Sequence, residues 1–105
     1  MSNQQTFKAI KSIVQSFLPD AQVLLFGSRG RGEESIGSDY DLLVITNDTL
    51  APRIKMNWES KIRKALVYSL NAAFDVILQS KNELREKREL PGHIVHFAMK
   101  DAIEI

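Results

Sequence analysis

The sequence predicts an α/β (α+β) domain with a small mixed sheet of three or four strands flanked by helices. Short apolar runs of strand length alternate with longer segments in which apolar residues recur at helical spacing, and this alternation predicts the class. Size is the other observation, because 105 residues with 44% hydrophobic content are enough for one hydrophobic core and too few for two. We therefore expect a single domain over residues 1–105.

The elements are predicted in the order helix, strand, loop, strand, helix, strand, helix, helix. The helices are predicted at 7–18, 52–71, 81 to about 92, and 93–100, and the strands at 23–26, 39–45 and 73–78. Pro52 suits the first turn of the second helix, and the run from Ser80 to Glu83 has the capping-box pattern that predicts where the third helix starts. We expect residues 103–105 to close the fold as a strand or a packing arm.

Composition excludes several classes of function. The formal net charge is +1, so the chain carries no extended basic surface for nucleic acid. It contains no cysteine, which excludes disulfides, thiolate catalysis and cysteine-based zinc sites. The start at residues 1–5 is polar and no apolar run is long enough to cross a bilayer, so we expect no signal peptide, no membrane contact and a cytoplasmic protein.

Two aspartates stand at the start of the second predicted strand. Side chains alternate across a strand, so Asp39 and Asp41 project from one face and Tyr40 from the other. Because neighbouring carboxylates repel each other, this pair calls for a cation, and hard oxygen ligands suit Mg²⁺ or Mn²⁺. Asp75 lies in the predicted strand 73–78 and completes a three-carboxylate site if the two strands are neighbours.

The loop before these acids is rich in glycine. Four of the chain's five glycines lie between Gly27 and Gly37, and glycine lets backbone amides approach a ligand closely. Gly27 and Ser28 follow the first predicted strand directly, so their amides and the Ser28 hydroxyl come to the end of the sheet. We expect phosphate groups to bind there.

These residues together resemble a known family signature. Gly27-Ser28, ten intervening residues and then Asp39-Tyr40-Asp41-Leu42 are similar to the signature of the DNA polymerase beta nucleotidyltransferase superfamily. The sequence GSRGRG at residues 27–32 is particularly similar to the minimal nucleotidyltransferases (MNT), small stand-alone versions often paired with a helical HEPN-domain protein. The similarity covers nearly the whole chain, because the strands, helices and acids follow in the family's order. It implies the nucleotidyltransferase fold.

The resemblance also implies a metal-dependent reaction in which a nucleoside monophosphate passes from a nucleoside triphosphate to an acceptor hydroxyl. It implies that Asp39 and Asp41 hold both of two Mg²⁺ or Mn²⁺ ions. It further implies that Asp75 holds the ion that activates the attacking hydroxyl. General chemistry agrees, since phosphoryl transfer depends on positioning and on neutralising charge.

For the nucleotide, the resemblance implies that Gly27 and Ser28 anchor the triphosphate, with ATP as the default donor. Arg29 and Arg31 are candidates for pairing with phosphate oxygens, and solvation of the loop is the other interpretation of these two residues.

The partner implied by the resemblance is a HEPN-domain protein in a toxin–antitoxin pair, in which the nucleotidyltransferase acts as the antitoxin by modifying or masking the toxin. A non-catalytic antitoxin or scaffold that sequesters this partner is the main alternative, and a nucleotide-binding sensor is a weaker one. The intact acids favour the enzyme. Both a homo-oligomer and a hetero-oligomer fit the sequence.

Other motifs point to no second chemistry. The glycine spacing after Gly27 matches a Walker loop, but Glu33 stands where the phosphate-binding lysine is required. His93 and His96 share a predicted helix face without a third ligand nearby, so a structural or surface role is expected. The mixed charges of residues 81–89 are typical of a solvated helix face, with a partner surface as the second interpretation.

Overall fold

In a computed structural model of the chain, the described residues are 3–27, 39–90 and 92–105. They form helices and strands that alternate as the sequence predicts. The helices are α1 (Asn3–Phe17), α2 (Pro52–Leu70), α3 (Lys81–Lys87) and α4 (Ile94–Asp101). The strands are β1 (Gln22–Phe26), β2 (Tyr40–Thr46), β3 (Phe74–Ser80) and β4 (Ile103–Glu104).

The strands build one mixed sheet in the order β3-β2-β1-β4. The pairing of β2 with β3 is parallel, whereas β1 is antiparallel to both β2 and β4. Parallel neighbours need a long crossover connection, and α2 provides it. The predicted mixed sheet is therefore confirmed, and the end of the chain does close it as a strand.

Helices α1 and α2 cover one face of the sheet and enclose the main core. Their apolar residues recur at three- and four-residue steps, which places one stripe of each helix against the strands. The fully buried side chains of this core are Ile10, Val14, Val23, Leu25, Leu42, Val44, Ile62 and Leu66. At its rim the rings of Phe17 and Trp58 meet edge to face with centroids 6.1 Å apart.

The opposite face carries a smaller apolar cluster under α3 and α4. Phe26, Leu43 and Ile45 alternate with the main-core residues along their strands, so they point away from α1 and α2. Ala98 of α4 is buried against them, and Leu84 of α3 packs at the edge. Because this cover sits over only part of the sheet, polar side chains elsewhere on the same face stay accessible.

Helix α3 is shorter than the sequence predicts. It starts at Lys81 with the expected capping box, in which the Ser80 hydroxyl accepts from Glu83 N–H and the Glu83 carboxylate accepts from Ser80 N–H. The expected end near residues 91–92 is wrong, because the helix ends at Lys87. The residues from 85 to 89 are all charged and bury no apolar surface, and a short helix without such packing is not stable.

His93 is the N-cap of α4, where its Nδ1 accepts from Val95 N–H at 3.1 Å, so the structural role expected for this histidine is confirmed. Among the helices of the described ranges, none is long and apolar enough to cross a membrane.

Candidate active site

The three aspartates singled out by the sequence lie where β2 and β3 begin. Asp41 and Asp75 are direct neighbours in the parallel register, so their side chains leave the same face of the sheet. On the other side of Asp41, Phe26 at the end of β1 is its antiparallel partner. Phe26, Asp41 and Asp75 thus lie side by side across three strands, about 4.8 Å from one strand to the next. We call the three aspartates Asp39, Asp41 and Asp75 the acid row.

Tyr40 points away from this row, as the alternation predicts. Its side chain is buried in the main core, where its ring stacks on Phe74 at a centroid distance of 4.9 Å. The stacked pair occupies the same register position on both strands. It anchors the beginnings of β2 and β3 to each other directly beneath the acids.

Asp39 stands just before β2 and is exposed to solvent. Its charge nevertheless reaches Asp41. Burial is the largest cause that raises the pKa of Asp41 above its ordinary value, and the charges of Asp75 and Asp39 raise it further. Asp41 is therefore close enough to both Asp75 and Asp39 for their charges to repel its own.

Gly27 brings the turn after β1 against these acids. Its backbone has a φ of 72°, a left-handed conformation that glycine adopts without strain. A Cβ atom at this position would collide with the Oδ2 atom of Asp41. The close approach of backbone to carboxylate thus requires glycine, and it sets the start of the loop beside the acid row. Ser28, Arg29 and Arg31, the other expected phosphate-binding residues, lie outside the described residues.

The three aspartates are chemically suited to bind a divalent cation. Asp39, Asp41 and Asp75 offer the hard carboxylate oxygens that Mg²⁺ and Mn²⁺ prefer. Burial raises the pKa of Asp41 most, the charges of Asp75 and Asp39 raise it further, and a bound cation would neutralise these charges. In the described part of the chain, no three acidic or histidine side chains are already gathered as ligands around one point. The carboxylates act on one another through their charges without forming a closed coordination site.

An open cleft of about 610 Å³ extends from the acid row to helix α2. From the strands it is lined by Phe26, Asp41, Asp75, Val76 and Ile77, and from the helix by Met56, Glu59, Ser60 and Arg63. The helix residues follow at three- and four-residue steps and so form a single stripe. The sequence reasoning missed this stripe. Its signal was the i, i+3, i+4, i+7 spacing, but that spacing alone does not say that the stripe borders the acids.

Glu59 fixes how α2 sits beside the sheet. Strand β3 is an edge strand, and its Leu78 N–H has no strand partner on the outer side. The Glu59 Oε2 atom accepts a 2.9 Å hydrogen bond from this N–H. The bond gives the backbone N–H of the edge strand a hydrogen-bond partner. It also fixes the rotation of α2 about its own axis, so Ser60 and Arg63 face the cleft.

Comparison with known proteins agrees with this geometry. A family model described as a nucleotidyltransferase domain matches residues 7–104, which include every aspartate of the acid row. The chain belongs to this nucleotidyltransferase family. A search of curated proteins finds no match.

Solved structures share the fold of this nucleotidyltransferase at low sequence identity. A candidate minimal nucleotidyltransferase is 20% identical with a TM-score of 0.67, and the match covers 100% of this chain and 97% of that one. A toxin–antitoxin structure with AMP-PNP is 22% identical with a TM-score of 0.64, covering 93% and 70%. A complex of a tri-AMPylated HEPN toxin from Shewanella oneidensis with MNT antitoxin is 17% identical with a TM-score of 0.61, covering 98% and 71%.

Proposed function

We propose that this nucleotidyltransferase transfers a nucleoside monophosphate, AMP by default, from a nucleoside triphosphate to an acceptor hydroxyl. The observation that carries the proposal is the direct pairing of Asp41 with Asp75 on neighbouring strands, next to the Gly27 turn. A half-buried Asp41 carboxylate whose pKa is raised by burial and by the charges of Asp75 and Asp39 is a poor arrangement for stability and a suitable one for binding cations.

In the proposed reaction, Asp39 and Asp41 would hold two divalent ions, and Asp75 would help to hold the ion that activates the acceptor hydroxyl. Bound Mg²⁺ or Mn²⁺ supplies neutralisation of phosphate charge and makes the acceptor hydroxyl easier to deprotonate. The acceptor oxygen forms a bond to the α-phosphorus while the bond from that phosphorus to the bridging oxygen breaks. Pyrophosphate leaves with the electron pair, and Asp75 accepts the hydroxyl proton.

The triphosphate is proposed to lie at the Gly27-Ser28 turn. The backbone of Gly27 comes close to Asp41 without an intervening side chain, which brings bound phosphates and the carboxylates together. Arg29 and Arg31 follow in the same loop and supply positive charge for phosphate oxygens.

The biological setting we propose is that of an antitoxin paired with a HEPN-domain toxin in the cytoplasm. Two of the three similar structures named above are toxin–antitoxin structures; one carries AMP-PNP and the other an AMPylated HEPN toxin. These features support AMP as the transferred group and the toxin as the acceptor. The same complexes favour a second candidate, an antitoxin that works only by binding and sequestering its partner.

The intact mass of a co-expressed HEPN-domain partner separates the two candidates. With ATP and Mg²⁺, the enzyme adds AMP units to the partner, and Asp39→Asn abolishes the mass gain. Asp48→Asn serves as a matched control, because Asp48 is exposed and follows the opposite end of β2. A tight complex whose partner keeps its mass under all conditions would support sequestration and refute transfer.

A further inference from the structure

The α2 side of the cleft carries a cation that the proposed roles leave unused. Arg63 lines the cleft together with Asp41 and Asp75, and it is the only basic residue among the described residues of that lining. Its side chain is exposed, and it forms no ion pair with any acid in the ranges that the structure describes. A guanidinium held at the wall of a cleft is a ready binding group for a carboxylate or a phosphate.

The position of Arg63 relative to Gly27 decides which substrate it meets. Gly27 follows Phe26 at the β1 end of the acid row, whereas α2 borders the β3 end. Two strand spacings, roughly 10 Å, separate β1 from β3. In an in-line displacement the attacking oxygen and the leaving oxygen lie on opposite sides of the transferred phosphorus. With the triphosphate at the Gly27 end, the acceptor therefore enters from the Arg63 end.

None of the described acids of the cleft forms an ion pair with Arg63. The Oε2 atom of Glu59 accepts a hydrogen bond from the Leu78 N–H instead, and this bond also holds α2 in the rotation that directs Arg63 towards the cleft. Asp41 and Asp75 are the acids assigned to the cations. Among the described residues of the cleft, Arg63 is thus the group available to bind an anion on the acceptor side.

We propose that Arg63 binds an anionic group of the acceptor, a carboxylate or a phosphate next to the hydroxyl that receives the nucleotide. The inference rests on the proposed function and adds a substrate requirement to it. An acceptor hydroxyl without a neighbouring negative charge is a poor substrate, because its only strong contacts are at the cations.

The first test measures AMP transfer to the HEPN-domain partner at varied partner and ATP concentrations. Arg63→Gln is expected to raise the KM for the partner by about 10-fold, the scale of one charge-assisted pair, while the KM for ATP stays within about twofold. Arg63→Lys restores part of the affinity. Lys64→Gln, an exposed neighbour outside the cleft lining, is expected to change neither constant. Equal effects of Arg63→Gln and Lys64→Gln would overturn the proposal.

A further experiment on the acceptor determines whether the anionic group is a carboxylate or a phosphate. Mass spectrometry locates the modified hydroxyl on the partner. When the acidic side chains or phosphates beside it are neutralised, the KM of the wild-type enzyme for the partner should rise by the same factor as in Arg63→Gln. The two changes combined should cost no more than one alone, because they remove the same contact. Fully additive effects would show that Arg63 and the anionic group do not meet.

A second measurement keeps this proposal separate from the proposed function. Inorganic phosphate is titrated into the domain alone while the NMR signal of the Arg63 side-chain N–H, assigned by its loss in Arg63→Gln, is followed. A saturable shift of this signal supports the proposal, and an unchanged signal refutes it. If the wild type transfers nothing to the partner, the proposed function fails, and the phosphate titration alone decides the role of Arg63.

Discussion

The two ends of the parallel pair β2–β3 hold carboxylates in opposite electrostatic surroundings. At the starting end, burial raises the pKa of Asp41, and the like charges of Asp75 and Asp39 raise it further. At the far end, Glu83 faces cations. Burial alone would raise the pKa of Glu83, but hydrogen bonds from Lys55 and Ser80 N–H and the charges of Lys55 and Lys87 lower it to about 2.

The far end is a closed polar network. Glu83 bridges Lys55 of α2, lies 3.5 Å from Lys87, and completes the capping box with Ser80. The buried Ser80 hydroxyl also contacts the Thr49 hydroxyl at 2.7 Å. Every charge in this network has a partner, and the network ties together the beginnings of α2 and α3.

The comparison indicates which end serves folding and which serves chemistry. A carboxylate with two cations and a backbone donor stabilises the fold, whereas the half-buried carboxylate of Asp41 beside two like charges costs stability. Such a cost is typical of functional sites, where local structure departs from what stability alone would select.

The largest effect is expected from Asp41→Asn. Loss of the central carboxylate should reduce transfer by more than about 10³-fold, because the cation site and its transition-state stabilisation are lost together. The same change should leave the melting temperature equal or slightly higher, since it removes repulsion. Assays of transfer and thermal unfolding check both points, with Asp48→Asn as the control. A large loss of stability would mean that Asp41 serves the fold.

Gly27→Ala tests the approach of the loop to the acids. The new Cβ would collide with the Asp41 carboxylate, and a displacement of about 1 Å at a reacting centre costs about 10²-fold in rate. Gly92→Ala is the matched control, because Gly92 also has a positive φ, 89°, but nothing lies within 4 Å of its Cβ position. Both variants share the backbone strain, so similar activities would show that the contact with Asp41 is unimportant.

Glu83→Gln should act on stability and not on chemistry. Removing the charge leaves Lys55 and Lys87 without their anionic partner, at a cost of roughly 1–3 kcal/mol, which lowers the melting temperature of a domain of this size by about 5–15 °C. Transfer per folded molecule should stay within about twofold. Glu89→Gln is the control, since Glu89 is 80% exposed and pairs only at the surface. Equal melting temperatures for the two variants would contradict the account of the network.

Lowering the pH should change the contributions of Glu83 and Asp41 to folding stability in opposite directions. The lowered pKa of Glu83 contributes stability that is present above its usual value of 4.5 and is lost as pH falls towards about 2. The raised pKa of Asp41 works in reverse, because its protonation relieves a cost as pH falls through that raised value.

Thermal unfolding without divalent ions between about pH 6 and pH 3 measures this difference. The decline in melting temperature should be shallower in Glu83→Gln and steeper in Asp41→Asn than in the wild type, by a few degrees. Parallel curves for all three proteins would contradict the opposite signs.

Much of the fold and part of the candidate site were predictable from the sequence, and the reasons differ by element. Local signals placed the helices and strands, the capping box at Ser80, and the orientation of Tyr40 away from the acids, because side-chain periodicity and capping depend on nearby residues. The family was recognised from the Gly27-Ser28 spacing to Asp39 and Asp41, and the family match confirms it.

The rest depends on contacts between distant segments. Alternation could not show that β2 and β3 pair in parallel with Asp41 opposite Asp75, since register is decided by packing of both strands. Nor could it show that α2 crosses the β3 edge through Glu59 and so brings Arg63 into the cleft. The end of α3 was mispredicted because its charged residues continue a helical pattern that no apolar contact supports.

A crystal structure with a non-hydrolysable ATP analogue and Mn²⁺, in which anomalous scattering locates the ions, tests directly whether the three aspartates bind the cations. We predict ion peaks bound by Asp41 and Asp75, with Asp39 completing the set, and triphosphate density against the Gly27 turn. The peaks should disappear in Asp41→Asn. Ion peaks or triphosphate density located away from this acid row would contradict the proposed reaction.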